Sequence, residues 1–276
     1  MLAEQRKIHA AELLPGGRLF PSGFHKISRR KEIERLSLLD GIRGGAIISM
    51  ILYHACWDAV NIGGVQWPWF NGVYAYLWQQ SICCSFILLS GFCSTLSRTV
   101  VRRGLIIFLC GGIVTLATAL AFPPGKIIFG ILTLLGSCML VTPLFKKLFA
   151  HVSPGWGLSA GLLFFILFRR LNTGFIVFGL LEVPAYLYHG YFGAYIGLTP
   201  AGFQSADYFP LIPWMFLFLA GYFLGILSAR QGLFKYLTKN IPILSWLGRH
   251  SLMLYLAHQP VLLGIMLLFN HPQIGV

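Results

Sequence analysis

Acidic residues are scarce: 8 Asp and Glu stand against 21 Lys and Arg in 276 residues, and charged residues make up only 11% of the chain. A soluble domain carries roughly a quarter charged residues, so this shortage excludes an ordinary soluble globule. The excess of +13 invites a nucleic-acid-binding reading, but there is no continuous basic patch for phosphates to follow. The cations sit in short clusters between long apolar runs, which excludes nucleic acid as a partner. The ten-residue alternation of lipid-facing strands is also missing, and with it the transmembrane barrel. No Gly-rich loop follows a strand, no nucleophile elbow is present, and no internal repeat is detectable. Cysteine is present at six positions, Cys56, Cys83, Cys84, Cys93, Cys110 and Cys138, all within apolar runs. None has a metal-ligand spacing with a His in register, so they read as packing residues and no metal is expected.

What is there is apolar. Hydrophobic residues make up 57% of the chain and the mean hydropathy is +0.74, which points to an all-α, polytopic transmembrane bundle. Residues 1–36 form the one polar stretch and read as a basic cytoplasmic tail; no apolar core of a signal peptide follows it. The remainder, 37–276, reads as one membrane domain. Runs of spanning length fall at about 39–60, 75–97, 104–122, 127–145, 155–169, 210–228 and 248–269. The count is about seven, within a range of seven to nine, because 171–199 is apolar but broken by Glu182, Pro184 and His189. With seven spans and the N-terminus inside, sixteen cations lie on the cytoplasmic side against Lys126, Arg169 and Arg170 outside, as the positive-inside rule prefers. Segment 170–209 then lies on the outer side.

Ionisable groups inside a membrane are costly, by at least about 2.5 kcal/mol at a helix centre, so each one is a functional candidate. The first span, LLDGIRGGAIISMILYHACWDAV, holds Asp40, Arg43, His54 and Asp58. Eleven positions at about 100° each put Arg43 and His54 within roughly 20° of one face and about 16 Å apart. Asp40 precedes Arg43 by three residues and Asp58 follows His54 by four, so each carboxylate is a neighbour on the same stripe. A histidine with an adjacent carboxylate is a minimal oriented general base. Arg43 offers a guanidinium fork for phosphate or carboxylate, and Gly44 with Gly45 lets a ligand or another backbone approach closely.

An Arg, ten intervening residues and a His in the first span resemble the signature of transmembrane acyltransferases, shared by the acyltransferase-3 family and the heparan-α-glucosaminide N-acetyltransferase catalytic-domain family. The rest of the chain is similar to the second, in its shorter bacterial branch. The segments that carry this are CCSFILLSGFCSTLSR, FGILTLLGSCMLVTP, SADYFPLIPWMFLFLAGYFLG and LGRHSLMLYLAHQP, in that order. The resemblance implies an acetyltransferase of a bacterial inner membrane. Cytoplasmic acetyl-CoA would be the acyl donor, and an amine or hydroxyl of a sugar or glycan on the far side the acceptor. An acyl-pantetheine arm is of the same order of length as the Arg43 to His54 separation. The animal enzyme of the family carries its critical histidine in the loop after the first span; here that loop, NIGGVQWPWFNG, has none, and the base is placed on His54.

Further candidates complete the expected site. Asp40, Arg43, Gly44, Arg249 and His250 are assigned to the CoA side, and Gln80, Ser81, Asp207 and His258 to the acceptor. Ser251 and Tyr255 share a face with His258. Tyr208 and Trp214, with Trp67 and Trp69, could stack on a sugar, although an interfacial aromatic belt is the stronger explanation of the tryptophans. Glu182 and His189, seven apart, would share a helical face. A homo-oligomer is compatible with the sequence. The rival reading is a proton-coupled transporter of a small anionic substrate with Asp and His as relay, against which the lack of inverted repeats counts.

Overall fold

The computed structural model describes residues 36–269. The basic tail falls outside the described residues. The architecture is helical: α1 (Ser37–Asn61), α2 (Val73–Ser94), α3 (Val100–Ala121), α4 (Ile131–Val141), α5 (Lys146–Phe149), α6 (Pro154–Leu167), α7 (Gly190–Ile196), α8 (Leu211–Arg230), α9 (Pro242–Arg249) and α10 (Ser251–Phe269). A two-residue hairpin, β1 (Phe175–Ile176) and β2 (Leu181–Glu182), pairs antiparallel with Phe175 opposite Glu182.

Among the described residues, four segments are long and apolar enough to cross a membrane: α2, α3, Ile131–Phe149 and α8. The third is α4 continued through a 3-10 turn into α5, with Pro143 at the junction. α1 is 25 residues long, but its polar stripe lowers its hydropathy and keeps it out of that set. α10 is apolar over the shorter stretch Ser251–Met266, and α6 has only 14 residues, opened by Ser153 as N-cap and Pro154. The chain is thus a multi-pass helical membrane protein. Segment 171–199 forms short 3-10 turns, the hairpin and α7, and no long helix. Glu182 lies in β2 and His189 caps α7, so the single helical face expected for this pair does not exist. The last apolar run is likewise divided, because the chain leaves helical geometry at His250 between α9 and α10.

Glycine sets the closest helix contacts. A Cβ on Gly44 would lie 2.0 Å from the Leu244 carbonyl oxygen, and one on Gly248 would lie 1.8 Å from that of Asp40. α1 and α9 therefore touch backbone to backbone, the small-residue packing that substitutes for hydrophobic driving force in lipid. Ser245 fixes the same contact by donating to the Ser37 carbonyl at 3.0 Å. α2 and α8 cross in the same way at Gly91 and Gly221. Between these crossings lies the core of Ile87, Leu134, Cys138, Leu217 and Phe218. A smaller cluster of Ile47, Met50 and Ile82 joins α1 to α2, where Trp78 also donates to Ser49 at 2.8 Å.

Candidate functional site

Asp40, Arg43, His54 and Asp58 all lie on the one unbroken helix α1, so the helical spacing read from the sequence applies along its whole length. At its first end Arg43 pairs with Asp40 at 3.5 Å and donates to the Cys93 sulfur at 3.1 Å. Arg43 also lines a cavity of about 200 Å³. The residues around this cavity advance in register along four helices: Ser94 to Phe86 on α2, with Ser97 in the turn that follows it, Arg103 to Ile107 on α3, Met139 to Ile131 on α4 and Ser251 to Tyr255 on α10. The cavity therefore runs lengthwise. Its Arg43 end carries two guanidiniums and the hydroxyls of Ser94, Ser97 and Ser251; its deep end is apolar and lined by Tyr255.

Tyr255 connects the cavity to the second end of the stripe. Its ring lies 5.4 Å from that of His258, and His258 lies 4.8 Å from His54. His258 Nδ1 bonds the Tyr255 carbonyl, while its Nε2 is buried without a partner. Asp58 is 1% exposed, and its Oδ1 accepts from Gln259 Nε2 at 2.9 Å. Its Oδ2 is unpartnered, and no hydrogen bond joins it to His54. The expected His54–Asp58 pair is thus corrected. An i,i+4 spacing permits that contact, but the Gln259 amide on α10 supplies a donor, and Asp58 links two helices instead.

Other expectations are also redistributed. Gly44 faces the α9 backbone, the helix contact that is one of the two uses its sequence context allowed. Arg249 and His250 end α9, beside Asp40 through Gly248, but the cavity is lined by the next residues, Ser251 and Leu252. Gln80 accepts from Arg169, and Ser81 donates to the Trp78 carbonyl at 2.7 Å, so both are engaged within the protein. Asp207 accepts from the Ile131 backbone N–H at 3.4 Å and from the Tyr255 hydroxyl, and burial pushes its carboxyl up to about 6. It holds the first turn of α4 under Tyr255. Tyr208 bonds the Ala194 carbonyl and Thr199, and Trp214 is buried under Arg169; Trp67 and Trp69 stack on each other at the surface.

Sequence reasoning missed Arg103, Ser90, Ser94, Ser97 and Arg169 as site residues. Arg103 is one of the sixteen cations that the positive-inside rule puts on the cytoplasmic side, and as such it reads from sequence only as an orientation charge. The three serines recur at i, i+4 and i+7, a helical stripe that was legible as one polar face. Arg169 stacks 4.5 Å from Trp214 and 5.2 Å from Phe165, a cation–π arrangement that no local pattern announces.

The model of a known family, described as heparan-alpha-glucosaminide N-acetyltransferase, catalytic, matches residues 35–260. The chain belongs to this family. No curated protein and no solved structure matches it significantly. The match spans the whole of α1, the cavity helices and the His258–Gln259 pair, so the site lies inside the acetyltransferase domain. Among the described residues, no group of three or more His, Cys, Asp and Glu is placed to hold a metal ion.

Proposed function

We propose that the protein moves an acetyl group from cytoplasmic acetyl-CoA to an amine or hydroxyl of a sugar or glycan on the outer side of a bacterial inner membrane. The bundle would span about seven times with its N-terminus inside. The observation that carries this reading is the lengthwise cavity, with Arg43 and Arg103 at one end and Tyr255, adjoining the His258–His54 pair, at the other. Two guanidiniums flanked by serine hydroxyls fit the phosphates of a nucleotide thioester, and the apolar depth fits its pantetheine arm and acyl end. Arg43 keeps its fork aimed by pairing with Asp40, and Arg249 adds a cation at the same end of α1 with His250 beside it.

In this reading His54 takes the proton of the acceptor as its nitrogen or oxygen attacks the thioester carbon. The C–S bond breaks, a C–N or C–O bond forms, and the sulfur leaves with a proton returned by the imidazole. Holding the two substrates in one site supplies much of the acceleration. An acyl-His54 intermediate would use the same atoms in two steps.

The test uses purified full-length protein. Acetyl-CoA should raise the thermal midpoint, and His54→Ala should keep that shift while losing turnover by about 10²-fold or more. Normal turnover in His54→Ala removes the assigned role. Proton flux without any response to CoA compounds would favour the transporter instead.

A further inference from the structure

The polar crossing of α1 and α10 holds three buried side-chain atoms without a partner: His258 Nε2, Asp58 Oδ2 and Gln259 Oε1. Leaving a buried polar atom unpaired costs about 1–3 kcal/mol. Such atoms call for a reason, and the histidine supplies one. His258 Nδ1 is bonded to the Tyr255 carbonyl. A carbonyl can only accept, so Nδ1 must carry the hydrogen. In the neutral ring the lone pair is then on Nε2, the atom that is buried and unpartnered. The fold thus holds a tautomerically fixed base 4.8 Å, centroid to centroid, from the His54 ring. No hydrogen bond joins the two rings at rest; a turn of the His54 ring, tilted 58° to that of His258, is what brings one of its nitrogens within reach of Nε2.

His54 differs from its partner. Among the described residues no hydrogen bond orients its ring, and neither ring nitrogen is among the fully buried unpartnered atoms, so it is the member a substrate can reach. His54 also lacks the carboxylate its sequence context led one to expect, because Asp58 is turned to Gln259.

We infer that His258 takes the place of that carboxylate: it is the positioning residue that accepts a proton from His54 through Nε2 and makes His54 competent for acyl transfer. The inference rests on the acetyltransferase reading. When His54 takes the acceptor's proton on one ring nitrogen, the hydrogen on its other nitrogen passes to His258 Nε2. His54 stays neutral and His258 becomes the imidazolium, stabilised by the Tyr255 carbonyl. The proton then returns by the same route to the departing thiolate, so that acceptor and thioester become acylated acceptor and free thiol. If His54 attacks the thioester itself, its attacking nitrogen needs the other N–H removed, and His258 Nε2 receives that proton. His258 serves both routes, and Asp58 with Gln259 fixes the helix that presents it.

The experiment compares full-length wild type with His258→Gln and His258→Asn, using acetyl-CoA as probe and released thiol as readout. His258→Gln should lower kcat by about 10²-fold with KM for acetyl-CoA within about threefold, and the CoA-induced thermal shift should persist. The limb of the kcat–pH profile that reports the histidine pair should disappear. With 15N-histidine labelling of the resting protein, His258 should show hydrogen on Nδ1, which leaves Nε2 free to accept; the lost pH limb is the readout that a merely structural role would not move. Retention of kcat within about threefold in both variants, or hydrogen on Nε2 of His258, overturns the inference. A wild-type protein with neither CoA response nor thiol release overturns the acetyltransferase reading, and the mechanism here falls with it. Lost turnover in His258→Gln beside an intact wild type cannot be confused with that outcome.

Discussion

The two ends of α1 are built to opposite specifications. At the Arg43 end glycines bring α1 and α9 into backbone contact, Ser245 bonds across the gap, and Arg43 is held by Asp40 and Cys93. At the His54 end α1 meets α10 through side chains alone, and three buried polar atoms there are without partners. In lipid, unsatisfied polar groups are costly, so the two ends divide the labour. One end stabilises and binds; the other keeps unspent hydrogen-bonding capacity for chemistry.

The largest effect expected outside the histidines tests the stabilising end. A Cβ on Gly248 would sit 1.8 Å from the Asp40 carbonyl oxygen, which is backbone and cannot swing aside. Gly248→Ala should therefore destabilise the protein by about 2–3 kcal/mol. Thermal unfolding in detergent should show a lowered midpoint in step with a weakened CoA response, since the same displacement moves Asp40 and Arg43. An unaltered midpoint would mean that the α1–α9 contact is looser than described, and the contrast between the ends would vanish.

A second effect separates binding from chemistry. Arg43→Ala should raise KM for acetyl-CoA by about tenfold, roughly 1.4 kcal/mol, while kcat changes little. His54→Ala should do the reverse. If both variants lose kcat equally with KM untouched, the cavity is not the donor site.

Sequence alone carried much of this contrast. The helical period placed Arg43 and His54 on one face because α1 is unbroken, and the ordered motifs carried the family. It failed where contacts depend on tertiary choice. The i,i+4 spacing of His54 and Asp58 licensed a pair, but nothing local shows that Gln259, two hundred and one positions away, takes the carboxylate. Gly44 was legible as a site of close approach, yet only the position of α9 decides that a backbone fills it. The break at His250 was hidden in an apolar run, because lipid-facing sequence has no polar period to mark a helix end. Asp207 was assigned to the acceptor, and nothing local shows that the Ile131 N–H and the Tyr255 hydroxyl engage it.

Asp207 also sharpens the comparison, as a buried carboxylate that is satisfied where Asp58 is half satisfied. Its oxygens receive the Ile131 N–H and the Tyr255 hydroxyl, yet burial still pushes its carboxyl up to about 6. A carboxyl whose folded value lies above its unfolded one, near 4, holds its proton more tightly in the folded protein. The stability it contributes is complete below about pH 4 and is lost as pH rises through about 6. Discounted for partial exposure, the loss is on the order of 1 kcal/mol. Asp207→Asn keeps a carbonyl oxygen for Ile131 and has no charge to bury, so this component of the pH slope should be absent. Thermal midpoints of the two proteins measured from about pH 4 to about pH 7 should converge at the acid end and separate toward neutrality, with the variant higher. Parallel profiles would show that Asp207 is solvated. Tyr255 would then have no fixed partner beneath it, and the link from the cavity to His258 would lose its anchor.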